Sequence, residues 1–205
     1  MVTIWGRENS TNVKKVLWCA AELALPYRHI PAGGQFGRNH DADYLAMNPN
    51  GLIPCLQDDE RVLWESNTIV RYLAAQYGTD SLYIADAGAR ASAEKWMDWA
   101  ISLAGAFGGV FINMVRVAPE KRDMALVEKG MAECERLLAI ADSALARQPW
   151  LSGDKFGIGD IPLGCIIYGW LNMDITRQPR PHLERWYQQL TQRPAYQKHV
   201  MIPLS

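Results

Sequence analysis

The sequence predicts an α/β amino-terminal domain on a mixed four-stranded sheet, followed by an all-α carboxy-terminal domain. Three observations carry this: residues 2–30 alternate strand, helix and strand; residues 52–64 read as a hairpin with a proline inside it; and beyond residue 79 strand patterns cease while helical spacing continues.

Val2-Thr3-Ile4-Trp5 is β-rich and ends at Gly6. The polar segment Arg7 to Asn12 leads into Val13, Val16, Leu17, Ala20 and Leu23, which recur at helical spacing. Leu25-Pro26 stops that helix, and Tyr27-Arg28-His29-Ile30 is a second strand ended by Pro31. A strand, helix and strand in this order form a βαβ unit with parallel strands. After a glycine-rich loop, Asp41 to Met47 reads as a short helix. The stretch Asn48 to Ser66 then holds a turn, a run broken by Pro54, an acidic tip at Asp58-Asp59-Glu60 and a second run, Val62-Leu63-Trp64, most simply antiparallel to the first. A proline in such a run belongs at a strand's first residue or edge, and a tight turn there is a usual home for a cis peptide. Ser66, placed as N-cap, opens a helix with Ile69, Val70, Leu73, Ala74 and Tyr77 inward and Gly78 as its end. Its free N–H groups and positive dipole end favour an anion.

These elements place one domain at 1–78, a linker at 79–88 where periodicity lapses, and a helical domain at 89–205. The first helix of that domain carries Trp96, Trp99, Ala100, Leu103 and Phe107 on one face, and Pro119 interrupts it. A second carries Val127, Met131, Cys134, Leu138, Ala141 and Leu145. Around 156–161, Gly157 stands as N-cap, Asp160 at the third helical position, and Phe156 against Ile161 as a staple; the helix runs to about Trp170. Pro181 to Arg193 forms another.

With 205 residues and a formal net charge of −1, nothing points to nucleic acid or an acidic membrane surface. No apolar run of membrane-span length and no signal peptide is visible, so a cytoplasmic location is expected. Cys19, Cys55, Cys134 and Cys165 are far apart, without metal or dithiol spacing; they read as buried small hydrophobes, and no metal is expected.

Four pieces in order, Ser10-x-Asn12, Asn48-Pro49-x-Gly51-x-Ile53-Pro54, Glu65-Ser66-x-x-Ile69-x-x-Tyr72-Leu73, and Gly153-Asp154 followed by Gly159-Asp160-Ile161, resemble the glutathione S-transferase family over nearly the whole length. Trp5 to Val16, Trp64 to Tyr77 and Arg185 to Leu190 are similar to theta-like bacterial members. The resemblance implies a thioredoxin-like first domain, an electrophile pocket contributed by the helical domain, glutathione as cosubstrate and a homodimer, for which Trp96 and Trp99 offer surface.

It also implies roles. Glutathione is a weak nucleophile while its thiol is protonated, so the enzyme must stabilise the thiolate beside an electrophile. Ser10 and Asn12, after the first strand, are the expected catalytic residues. A hydrogen bond to the charged sulfur is worth roughly 1.5–3 kcal/mol and a favourable helix end up to about 2. At ~1.4 kcal/mol per unit, the two together lower the thiol pKa by roughly two to three units. Glutathione binding is expected from Asn12, Gln35, His40, Ile53, Pro54, Glu65 and Ser66. Within that set, the Ile53 backbone pairs with the peptide, Glu65 takes the γ-glutamyl ammonium and Ser66 its carboxylate. Arg7, Phe107, Phe111, Met114, Arg116 and Tyr168, with Trp170, are expected around a small electrophile, and the arginines suit an anionic one such as a haloacid. Two residues depart from the family pattern. Leu52 replaces a lysine that often binds the glycyl carboxylate, leaving that task to His40, Gln35, Arg38 or water, and Gly157 replaces a hydroxyl cap at a cost of only a few tenths of a kcal/mol. The resemblance leaves open glutathione-dependent disulfide or peroxide reduction, and a non-catalytic binding or regulatory protein.

Overall fold

The computed structural model describes residues 1–79 and 81–205; Asp80, in the expected linker, lies outside the described residues. The first domain runs β1 (Val2–Trp5), α1 (Thr11–Glu22), β2 (Tyr27–Ile30), α2 (Ala42–Met47), β3 (Cys55–Asp58), β4 (Arg61–Trp64) and α3 (Ser66–Tyr77). Its sheet has the order β2-β1-β3-β4. β1 pairs parallel with β2, Val2 opposite Tyr27, while β3 pairs antiparallel with β1 and β4. This is the expected mixed sheet.

The helical domain comprises α4 (Ala87–Phe111), α5 (Met124–Leu145), α6 (Ile161–Asn172), α7 (Pro181–Thr191) and α8 (Pro194–His199). Two boundaries differ from the sequence reading. α4 begins inside the expected linker because the Asp86 side chain caps it, accepting from Ala89 N at 2.7 Å. α3 takes Glu65 as N-cap, so Ser66 is its first helical residue. α8 was not anticipated. By length and composition, Ala87–Arg116 is apolar enough to cross a membrane, which corrects the reading that no run reaches that length. In this fold it is the central helix of its domain, with Ala93, Met97, Ala100, Leu103 and Phe107 buried.

α1 joins the two domains. Every residue from Val13 to Ala20 is buried, because the helix packs on α3 within its own domain and on α6 and α8 of the other. Trp18, fully buried, lies edge-on to Tyr196 at 4.8 Å and over Gly164, where an added Cβ would come within 2.7 Å of the indole. The contact requires a residue without a side chain. Arg193 closes the seam with a bidentate ion pair to Glu22, at 2.8 and 2.7 Å.

The start of α6 is built by Asp160. Its carboxylate, fully buried, accepts from Leu151 N at 2.7 Å, Trp186 Nε1 at 2.8 Å, Gly157 N at 3.1 Å and Ser152 N at 3.3 Å. Gly157 supplies the cap position, and the Phe156 ring packs with Trp18 and Trp150. All four cysteines are buried free thiols, as their scattered spacing suggested.

Candidate active site

The loop Gly6 to Ser10 carries the chain from the end of β1 to the start of α1, and its end faces the cleft between the domains. Ser10 occupies the N-cap position of α1 with extended backbone (φ −79°, ψ 125°), yet its side chain makes no capping hydrogen bond. Among the described residues the hydroxyl has no hydrogen-bond partner, and the first N–H groups of α1 lack a side-chain cap. Ser10, Thr11 and Asn12 form one wall of a cavity of about 230 Å³ whose other wall is Phe107, Phe111 and Arg116. A thiol brought into this cavity meets a hydroxyl donor and the positive end of a three-turn helix.

Two arginines share the cavity. Burial, and then the charge of Arg116, hold the Arg7 guanidinium below its ordinary pKa. Arg7 donates to Asn9 Oδ1 at 2.5 Å; Arg116 lies over the Phe111 ring at 5.3 Å and donates to Ser205 O at 2.6 Å. Like charges drawn this close favour an anionic guest. A larger hollow of about 540 Å³ lies between the β2–α2 loop and the carboxy-terminal tail, and Arg7 and Asn9 border both cavities.

The structure brings Arg7, Ser10, Asn12, Phe107, Phe111 and Arg116 round one cavity. Met114, Tyr168 and Trp170 are not in its lining. Met114 packs on the core and its carbonyl accepts from Arg122 Nη2 at 2.9 Å; Tyr168 receives the Lys14 ammonium at 5.5 Å from its ring centre; Trp170 is buried.

The Ile53–Pro54 bond is cis. The ladder of β3 begins at Cys55, so the Ile53 backbone lies beyond the last sheet pair and is open to an added strand. Tyr44 Oη (2.6 Å) and Asn48 Nδ2 (2.8 Å) both donate to Leu52 O, holding the turn, while the Leu52 side chain is exposed. His40 is exposed and stands over Gly51, whose φ of +63° excludes most side chains and where a Cβ would come within 2.8 Å of the imidazole. Gln35, on a single 3-10 turn (Gly34–Phe36), lines the larger hollow with Arg7. Glu65 has φ +71°, a conformation that costs a non-glycine residue about 1–3 kcal/mol and clusters at binding loops. Beside it Ser66 is buried and donates to Asn12 Oδ1 at 3.3 Å.

Lys15 was missed by sequence reasoning. Its ammonium, 5 % exposed, donates to Asn12 Oδ1 at 2.9 Å and to Ser66 Oγ and Asn67 Oδ1 at 3.4 Å each. Asn12 therefore turns its carbonyl oxygen toward Lys15 and Ser66, linking the start of α1 to the start of α3. The one available signal was a second cation beside Lys14 on a helix read as amphipathic.

A sheet of this order, with a cis X–Pro bond ahead of β3 and a helical domain packed on α1, is the thioredoxin-like-plus-helical fold of glutathione-handling proteins. Residues 5–81 match the family model described as glutathione S-transferase, N-terminal domain, and residues 110–194 the one described as glutathione S-transferase, C-terminal domain. The chain is 57% identical over 208 residues to glutathione S-transferase GstB of Escherichia coli (strain K12), covering 100% of both. It superposes with a TM-score of 0.96 on the glutathione-bound theta class glutathione S-transferase from Xanthomonas axonopodis pv. citri, at 51% identity, covering 100% of this chain and 99% of that one. A more distant relative, 28% identical and covering 90% of this chain and 87% of its own, is the disulfide-bond oxidoreductase YfcG of Escherichia coli (strain K12). The chain belongs to the glutathione S-transferase family of enzymes.

Proposed function

We propose that this enzyme conjugates glutathione to a small electrophile bearing a carboxylate, with Ser10 stabilising the thiolate and Arg7 and Arg116 receiving the anion. The observation that carries this reading is the Ser10 hydroxyl, uncommitted at a helix start and sharing a cavity with two arginines. In the reaction, the thiol gives its proton to solvent, Ser10 donates to the sulfur, the new S–C bond forms and the leaving group departs as an anion with the C–X electron pair. Glutathione lies with its cysteinyl backbone along Ile53-Pro54 and its γ-glutamyl end at Glu65 and Ser66; His40, over Gly51, is proposed nearest the glycyl end. The test compares haloacetates with the matching uncharged haloacetamides, following thioether and halide. Preference for the acids, reduced in Arg7→Gln and Arg116→Gln, is expected; equal turnover of acid and amide overturns the anionic substrate class.

A second reading, glutathione-dependent disulfide reduction, draws on the likeness to YfcG; formation of a mixed disulfide in place of a thioether would favour it. The enzyme is further proposed to be a homodimer in a reducing compartment such as the cytoplasm. Trp96, expected at the surface, is buried against Trp99, but Ile101 on α4 (61 % exposed) and Trp64 on β4 (40 % exposed) present apolar area for a partner copy. A monomer by sedimentation would remove the dimer.

A further inference from the structure

The ammonium of Lys15 is buried, and among the described residues no carboxylate lies within 4.0 Å of it: its three acceptors, Asn12 Oδ1, Ser66 Oγ and Asn67 Oδ1, are all neutral. Neutral oxygens satisfy its three N–H donors and leave its charge uncompensated, a costly state for a buried cation. The surrounding bonds are directional. Asn67 Nδ2 donates to Met97 O at 2.7 Å, which turns Oδ1 toward Lys15, and the Ser66 hydroxyl donates to Asn12, which leaves a lone pair for Lys15. Glu65 provides no side-chain cap for α3, so the positive end of that twelve-residue helix converges on Ser66 from the other side.

We propose that Lys15 is a positioning residue for glutathione: its buried charge acts through Ser66 and Asn12 to bind the α-carboxylate of the γ-glutamyl residue, completing as an ion pair only when the cosubstrate is bound. This rests on the placement of the γ-glutamyl end at Ser66 argued above. Burial holds the Lys15 pKa down while Cys165 and Glu65 oppose that shift, so an arriving carboxylate meets a charge with little internal compensation.

The experiment measures affinities, by calorimetry, for glutathione and for 4-aminobutyryl-cysteinylglycine, which lacks only that carboxylate. In the unaltered protein the deletion is expected to weaken binding about 10- to 100-fold, the range of a hydrogen bond to a charged group. Lys15→Met should bring the ratio of the two affinities to within about threefold of one, leaving the analogue's affinity nearly unchanged. Lys15→Gln, which keeps a polar contact to Asn12 without the charge, should do the same and serves if the methionine variant does not fold. Lys15→Arg should keep the ratio. Lys14→Met removes an equally buried cation, bonded to Val200 O on the other side of α1, and should also keep it. A folded neutral variant that retains the full ratio overturns the proposal, as does a ratio near one in the unaltered protein or a collapse in Lys14→Met. Failure of the unaltered protein to bind glutathione at all would instead sink the reading of the site.

Discussion

Replacing Ser10 by alanine separates a thiolate donor from a helix cap, because the two roles predict opposite patterns of loss. An N-cap serine that caps contributes about 1 kcal/mol to stability. The Ser10 side chain caps nothing, so Ser10→Ala should melt within a degree or two of the unaltered protein. The function should change far more. One hydrogen bond to a charged sulfur is worth about 1.5–3 kcal/mol, or roughly one to two pKa units. The α1 N-terminus remains in the variant and keeps up to about 2 kcal/mol of its own effect. Starting from an unperturbed thiol near 8.5, bound glutathione should titrate at about 6 in the unaltered enzyme and at about 7 to 8 in the variant. The ultraviolet absorbance of the thiolate, followed against pH in the binary complex, reads this shift directly. In turnover, the thiolate fraction near pH 6.5 should fall about 3- to 25-fold and lower kcat/KM with it, and the gap should narrow above pH 8 as both complexes ionise. It narrows further because the less stabilised thiolate is the better nucleophile, with a Brønsted slope of about 0.4–0.5. An unchanged thiol pKa in Ser10→Ala, or a stability loss near 1 kcal/mol with the pKa intact, refutes the reasoning. Should the shift appear in Thr11→Val instead, the donor is the next residue along the same wall.

Asp160→Ala removes the acceptor of four N–H groups around a fully buried carboxylate and should cost about 3–5 kcal/mol, read as a fall in thermal midpoint on the order of 10 °C. His199 is buried with Nε2 unpartnered; burial first, then Lys198 and His29, lower its pKa from 6.5, and Glu8 opposes them. Because the unfolded chain then binds the proton more readily than the fold, stability is full above the unfolded value and is lost as pH falls from about 6.5 through the lower folded pKa. Denaturant midpoints should therefore decline over that window in the unaltered protein and decline less in His199→Gln.

Periodicity placed the strands and main helices because each has one apolar face, and Val2–Trp5, Tyr27–Ile30 and Ser66–Tyr77 fall where spacing put them. It failed where a second layer or an irregular turn intervenes. Lys14 and Lys15 lie off the stripe of Val13, Val16, Leu17 and Ala20, yet both are buried: Val200 at the end of α8 receives the Lys14 ammonium, and the start of α3 receives that of Lys15. Met114, expected at the electrophile pocket from the resemblance, falls within residues 112–116, which form a π-helical turn. A π turn takes more residues than an α turn; here it carries Met114 onto the core while Arg116 still lines the cavity. α8 spans six residues, too few for a period to show.

The parts of the site that were legible share one property: each is written in the backbone of its own segment. A serine at a helix start, an Ile-Pro before a strand and a Glu-Ser opening a helix constrain dihedral angles and free N–H groups locally, while their roles toward glutathione come from the family resemblance. The charges behave otherwise. Arg7 gains its meaning from Arg116 over a hundred residues away, and Lys15 from Ser66 and Asn67 on another helix. Whether a cation is solvated or held bare beneath a ligand depends on what covers it, and the cover is tertiary. The backbone cues accordingly say where a peptide can lie, while the proposed selectivity for carboxylates rests on cations whose setting is tertiary: the half-buried Arg7, the exposed Arg116 and the buried Lys15. Substitutions at Arg7, Arg116 or Lys15 should therefore alter ligand selectivity while leaving the main-chain cradle at Ile53 and Ser66 in place.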